Sequence, residues 1–245
     1  MDVETRRAHL KSLLERDGAI GLAEAAVSYG VSEMTVRRDL LEMEQAGLAR
    51  RVRGGAVAVG PELFQRRRGV ASAAKQAIAR KMLPLLPRSG AIALDASSTI
   101  YQFALELDPG TISILSTGVE TAGVLSASGT ARVLLSGGEV QESTGALVGA
   151  LAVLSIGQFV FHRAFVSPTC VHPEFGLMES TLEGAEIKRA LQLASRSVVV
   201  AVDSSKLGES AMARALDLHD VDVLVTELDP ADPALDEYRE HVDLL

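Results

Sequence analysis

Two groups of residues in this 245-residue chain have types and spacings that suit chemistry. The first is the stretch VSEMTVRRDL, in which Ser32, Thr35, Arg37 and Arg38 fall close together. Guanidinium and hydroxyl groups along one helical face suit the base edges and phosphate oxygens of a DNA major groove. The second is a series of small turns: Asp95-Ala96-Ser97-Ser98-Thr99, Ser116-Thr117-Gly118, Ser136-Gly137-Gly138, Ser167-Pro168-Thr169, Asp203-Ser204-Ser205-Lys206 and Thr226-Glu227. Hydroxyls, free N–H groups at helix starts and a lysine are the parts of a phosphate site, and carboxylates suit the hydroxyls of a sugar or polyol.

The elements that must position the first group are short helices. Ser32 stands where an N-cap belongs, Glu33 follows in the first turn and Gly47 comes just past the end, which predicts a helix over residues 33–46. Val36, Leu40 and Met43 make its apolar stripe, leaving Thr35, Arg38, Leu41 and Gln45 outward and Arg37 on the flank. A helix over 22–29, stopped by Gly30, and the link Gly30, Val31, Ser32 complete a helix-turn-helix. A preceding helix over 5–16 offers Ala8, Leu10, Leu13 and Leu14 for packing, and Asp17-Gly18 ends it. After the pair, residues 49–57 mix apolar side chains with Arg50, Arg51 and Arg53, and Gly54-Gly55 supplies a turn, so a two-stranded wing is expected. Ser32, Thr35, Arg37 and Arg38 are the expected groove contacts, with Arg51 and Arg53 on phosphates or in the adjacent groove. The alternative for the arginine pair is an ordinary solvated face.

The net charge of −8 is unevenly spread: residues 1–68 hold 12 basic against 10 acidic side chains, and the remainder 12 against 22. Polyanion binding is therefore confined to the N-terminal part. The charged start MDVETRRAHL is no secretory signal, and the lone Cys170 excludes an internal disulfide, so a cytoplasmic protein is expected. The uncharged stretch 145–161 contains Gly149, Gly157 and Gln158 and barely reaches bilayer length, which predicts a buried helix instead. With no Trp, stacking on single-stranded nucleic acid is not the main binding mode. His9, His162, His172, His219 and His241 show no metal-ligand spacing and no Walker-type loop occurs; neither a metal nor another cofactor is expected. The organisation expected is a winged helix-turn-helix over 1–59, a linker over 60–73 opened by Gly60-Pro61 and carrying Arg66, Arg67 and Arg68, and an α/β domain over 74–245.

In that last domain short apolar strands alternate with helical patterns, at 91–94, 112–115, 133–135, 164–166, 198–202 and 221–225. Helices over about 100–107 and 119–126 follow the first two turns. Such alternation predicts a mostly parallel sheet covered on both faces, whose carboxyl ends, with the small turns above, share one edge and form a crevice. Each turn taken alone is as well explained by ordinary helix capping.

The run from Arg6 to Ala56 closely resembles the DNA-binding domain of the DeoR family of bacterial sugar-linked transcriptional regulators. The order of the Asp95 and Thr117 turns, Gly137-Gly138, Ala164-Phe165-Val166, Glu186-Ile187-Lys188 and Asp203-Ser204-Ser205-Lys206 is similar to that family's effector domain, which is akin to the fold of ribose phosphate isomerases. The resemblance implies a transcriptional repressor of carbohydrate metabolism genes, controlled by a phosphorylated sugar or related metabolite held by Asp95, Ser98, Thr99, Thr117, Gly137, Gly138, Lys188 and Lys206. It also implies double-stranded operator DNA as partner and no enzymatic activity. A single helix-turn-helix reads too few base pairs, so at least a homodimer is expected. The chain departs from the family at Ser97, where glycine is usual, at Gly118, where asparagine commonly follows the threonine, and at Ser167-Pro168-Thr169-Cys170. Ser97 adds bulk where backbone approaches a ligand and Gly118 removes an amide. Two alternatives stay open: a sugar-phosphate isomerase using Asp95, Glu186, Lys188 and Lys206, and a domain that only oligomerises.

Overall fold

Residues 2–46, 48–58, 64–129 and 132–245 are described by a computed structural model of the chain, and they divide into two units, Met1–Arg67 and Arg68–Leu245. The first is built from helices α1 (Val3–Asp17), α2 (Leu22–Tyr29) and α3 (Glu33–Gln45) with strands β1 (Ala19–Gly21), β2 (Ala49–Val52) and β3 (Gly55–Ala58). Asp2 accepts a hydrogen bond from the Thr5 amide, so α1 starts earlier than its apolar pattern suggested. The expected α1 stripe needs correction at Ala8, which is exposed. Arg6 takes the core position one turn before Leu10 and two before Leu14, because its guanidinium is neutralised by Asp39 of α3 at 2.7 Å.

The wing also differs from expectation. Its hairpin pairs Val52 with Gly55, so Arg53-Gly54 is the turn, with Gly54 at φ 89°, and Gly55 belongs to β3. The sheet order β1-β3-β2 sets Gly55 against Gly21, and a Cβ on Gly55 would lie 1.8 Å from the Ile20 carbonyl oxygen. Gly55→Ala is therefore expected to destabilise the N-terminal unit by about 1–3 kcal/mol or more through overpacking. A thermal melt checks this; an unchanged transition removes the close approach from the account.

Helix α4 (Phe64–Gly69) falls inside the expected linker, which is thus helical in part, while Gly60 and Pro61 lie outside the described residues. Two of its three arginines are engaged by rings: Arg67 lies over the Phe64 ring and Arg68 over the Tyr101 ring, 5.6 and 4.5 Å from the centroids. Gly47, expected past the end of α3, also lies outside the described residues; Ala46 is the C-cap.

The second unit runs α5 (Ser72–Met82), β4 (Gly90–Leu94), α6 (Ser98–Glu106), β5 (Ile112–Ser116), α7 (Val119–Ala127), β6 (Arg132–Leu135), β7 (Glu139–Gln141), β8 (Ala146–Val148), α8 (Ala150–Ile156), β9 (Arg163–Val166), β10 (Cys170–His172), β11 (Gly176–Glu179), α9 (Leu182–Leu193), β12 (Val198–Ala201), β13 (Ala213–Leu216), β14 (Val223–Val225) and β15 (Asp243–Leu244). Seven strands form a parallel sheet in the order β15-β14-β12-β9-β4-β5-β6. All six expected strands are in it. Alternation splits each between two cores: Ile92, Leu94, Phe165, Val199 and Ala201 face the layer of α5 and α6, while Ala93, Ala164, Val166, Val198 and Val200 face α8 and α9.

The chain lays β5 and β6 on one side of β4, then returns to place β9 on the other. Between β4 and β9 lies a topological switch point, the place in an open parallel sheet where the loops at the carboxyl ends of neighbouring strands run in opposite directions. Beside the sheet stand a β10-β11-β13 antiparallel sheet and a β7-β8 hairpin. The single buried helix expected over 145–161 is instead β8 followed by α8, and α8 presents Leu151 and Leu154 to solvent at 70% and 63% exposure. No helix among the described residues is long and apolar enough to cross a membrane.

Candidate functional site

In the N-terminal unit α3 is fixed from beneath and bare above. Val36, Leu40 and Met43 are buried, and Asp39 beside them accepts from Arg6 and, at 3.0 Å, from Arg7, which ties α1 to α3. Ser32 caps the helix by accepting from the Thr35 amide at 3.2 Å, and the Ser32 and Thr35 hydroxyls lie 2.9 Å apart, so both are partly engaged in holding the helix start. Arg37 and Arg38 are exposed and make no hydrogen bond or ion pair among the described residues. In the wing Arg53 is exposed at the turn, whereas Arg51 bonds Glu44 through both its amide, at 2.8 Å, and its guanidinium, at 2.6 Å. Those two bonds also hold the Glu44 carboxyl below the usual carboxylate range. Arg51 therefore braces the wing against α3, a role the sequence did not suggest.

In the second unit the switch point gathers a connected set. Asp95, just past β4, accepts from the Ser97 amide at 3.0 Å and from the Ser167 amide, just past β9, at 2.7 Å. Its Oδ2 lies 3.1 Å from Lys188 Nζ of α9, and Glu179 Oε1, at the end of β11, lies 2.5 Å from the same ammonium. Thr169 donates to Glu179 at 2.9 Å, Ser167 donates to the Thr99 hydroxyl at 3.3 Å, and Lys206 donates to the Pro168 carbonyl at 3.1 Å and lies 3.5 Å from the Ser167 hydroxyl. Burial pulls the Lys188 pKa down, but Glu179 and Asp95 more than reverse this, so its ammonium is held above the ordinary lysine range.

Of the expected ligand residues the network joins Asp95, Thr99, Lys188 and Lys206. Ser98 is buried in the first turn of α6, and Thr117, past β5, is buried nearby through its amide bond to the Leu94 carbonyl. Gly137 and Gly138 follow β6, three strands from β9 in the sheet order, and no bond joins them to the network among the described residues. Glu186, one of the four residues the isomerase alternative draws on, is exposed on α9, away from the buried side that carries Lys188. Ser167 belongs to a turn expected at this edge but not to the expected ligand set, and the pairing of β9 with β4 brings its amide to Asp95; Glu179 was missed as a participant, and Lys188 joins it to Asp95.

Of the three departures, those at Ser97 and Gly118 have structural explanations. Ser97 is the N-cap of α6, accepting from the Ile100 amide at 3.1 Å, so its side chain turns into the helix start. Gly118 is required by close packing: a Cβ there would lie 2.8 Å from the Ala96 Cα. An asparagine at 118 would push the two loops apart.

Among the histidines, His219 stands with Asp217 and Asp220, their ligand atoms within 4.8 Å of one another, but the two aspartates are the capping box of a single 3-10 turn, which accounts for their proximity. Cys170 is buried, and burial together with Glu179 and Glu209 pushes its thiol up to about 11. At pH 8 the folded chain should then hold about 100-fold less thiolate than an unfolded one and react correspondingly slowly with a thiol reagent. The neutral thiol's contribution to stability is intact below about pH 9 and lost as pH rises through about 11. Equal labelling rates in native and urea-unfolded protein would refute the burial argument.

An N-terminal winged helix-turn-helix that exposes Arg37 and Arg38 on α3, joined to an α/β unit with a buried polar network at its switch point, fits a DNA-binding transcriptional regulator with a sensor domain. Residues 6–62 match the DeoR-like helix-turn-helix domain and residues 70–228 the DeoR C-terminal sensor domain, so the chain belongs to the DeoR family. It is 27% identical to the glycerol-3-phosphate regulon repressor of Escherichia coli (strain K12), covering 89% of this chain and 88% of that protein. It is 28% identical to the lactose phosphotransferase system repressor of Lactococcus lactis subsp. lactis, covering 100% and 99%. Among solved structures, ribose 5-phosphate isomerase A from Neisseria gonorrhoeae is 17% identical and matches with a TM-score of 0.41, covering 56% of this chain and 53% of that one.

Proposed function

We propose that the chain is a cytoplasmic repressor of carbohydrate metabolism genes, acting as a homodimer or higher homo-oligomer, which leaves its operator when a phosphorylated sugar or related metabolite binds the crevice between β4 and β9. Arg37 and Arg38 read the major groove with Ser32 and Thr35, and Arg53 takes phosphate. Arg51 contributes less, because Glu44 already engages it. In the crevice Lys206 and the start of α6, with Ser98 and Thr99, take the anionic group. Asp95 and Glu179 accept from the ligand's hydroxyls. Lys188 holds the two carboxylates in place, and Thr117, Gly137 and Gly138 line the adjoining loops.

The observation that carries this reading is the bridge from Asp95 to the Ser167 amide at 2.7 Å, with Lys206 beside Ser167, since it sets a cation, hydroxyls and carboxylates around one switch point. The relatives' names, a glycerol-3-phosphate regulon repressor and a lactose phosphotransferase system repressor, support the same class of effector. The chain performs no catalysis on this reading: Glu186 is exposed, and Lys188 is already committed to two carboxylates. A thermal-shift screen against phosphorylated sugars and their unphosphorylated parents tests the reading, because a ligand of the folded state alone raises the melting temperature. The compound that shifts it should release operator DNA in a binding titration and remain unconverted after incubation. Turnover would favour the isomerase instead.

A further inference from the structure

Two buried hydroxyls take no part in the crevice network. Thr117 Oγ1 and Thr121 Oγ1 are enclosed, each residue being 1% exposed, and neither has a hydrogen-bond partner among the described residues. A buried hydroxyl left unpaired opposes folding, so a pair of them in one turn calls for a reason. They flank Gly118 at the carboxyl end of β5, and Thr121 Oγ1 lies 3.4 Å from the point a Gly118 Cβ would occupy. Gly118 is also the N-cap of α7, a nine-residue helix whose first amides receive no side-chain cap.

The chemistry of the turn differs from that of the crevice. No hydrogen bond or ion pair brings a lysine or arginine to either threonine among the described residues, and the charged group within the turn is the Glu120 carboxylate, which folds over Gly145. A phosphate, which only accepts and carries negative charge, would meet this carboxylate with no cation to offset it. An uncharged diol both donates and accepts, as the two threonines do.

We propose that Thr117 and Thr121 form a hydroxyl-binding subsite for the uncharged polyol portion of the effector, distinct from the Lys206 side of the crevice that takes its anionic group. The proposal rests on the effector reading above. Ala96 closes against Gly118, its Cα 2.8 Å from where a Cβ would stand.

The test uses Thr121→Val and Thr117→Val in the full chain, since valine keeps the shape and removes the hydroxyl. Melting is measured without additive and with ribose 5-phosphate, glycerol 3-phosphate, glucose 6-phosphate, their unphosphorylated parents and inorganic phosphate. The expected result is that both variants melt at or above the wild type without additive and that the compound shifting the wild type binds Thr121→Val at least tenfold more weakly. A shift by inorganic phosphate is expected to stay as it is in the wild type. Lower melting with undiminished affinity overturns the proposal, because the hydroxyls would then be satisfied within the fold. Loss of the inorganic phosphate shift in Thr121→Val also overturns it, since the subsite would then take the anion. A wild type that responds to none of the compounds fails at the effector reading first, and the subsite falls with it.

Discussion

Lys188→Met should cost the C-terminal unit about 3–5 kcal/mol, the usual effect of removing one partner from a buried ion pair, which for a unit of this size lowers the melting temperature by roughly 6–20 °C. The size of the effect follows from what the ammonium holds together. It lies 3.1 Å from Asp95 and 2.5 Å from Glu179, and all three side chains are almost fully buried, so the methionine variant would leave two carboxylates enclosed without a cation. Glu179→Gln added to Lys188→Met should recover part of the loss, because one stranded charge is removed with it. The pH dependence has a definite sign. Because the folded pKa of Lys188 is raised, its stabilisation is fully present below the unfolded lysine value of about 10.4 and fades only above it. Thermal or urea melts of the three proteins decide the matter, and a drop of less than about 2 °C in Lys188→Met would falsify the structural role given to this lysine. It would also return Lys188 to the set of residues free to meet a phosphate.

Arg38→Ala should weaken specific operator binding more than any other single change considered. One well-placed bidentate contact to a base is worth about 1–3 kcal/mol, and the proposed homodimer would make it twice, so the expected loss is about 30-fold to 10⁴-fold in affinity. Arg37→Ala is expected to follow with a smaller loss from its place on the flank, and Arg51→Ala with a smaller one again, because Glu44 holds that guanidinium at 2.6 Å. Arg53→Ala should instead weaken all DNA nearly equally and reduce the salt slope by about one counterion per contact. Fluorescence titrations at fixed salt, with an operator selected from random duplexes, separate these effects. Melting should be unchanged in Arg38→Ala, since the side chain is exposed and unpaired among the described residues. If Arg38→Ala binds its operator as the wild type does, the groove-reading face of α3 must be redrawn.

The same helix shows how far local sequence reaches. Ser32 capping Thr35, and Val36, Leu40 and Met43 on one stripe, are relations of three to seven residues, and the period of 3.6 states them directly. The six parallel strands were legible for a similar reason, as short apolar runs bounded by small turns. Asp39 was not legible as a core residue, because its burial depends on Arg6, 33 residues earlier, reaching it with a guanidinium. Ala8 was misplaced for that same reason: the position its apolar side chain was expected to fill belongs to an ion pair.

For the sensor unit the sequence by itself determined the layered α/β architecture and the small polar turns at the strand ends, since alternation and turn chemistry are properties of neighbouring residues. Only the tertiary structure decided which turns meet. The placement of β9 beside β4 sets the Ser167 amide on Asp95 across 72 residues, and α9 turns Lys188 inward and Glu186 outward. It also decided that Gly118 is a packing necessity against Ala96 and that the Thr117 and Thr121 hydroxyls have no partner among the described residues. Strand order and ion pairing across the sheet depend on how distant segments share buried space, and no local periodicity encodes that.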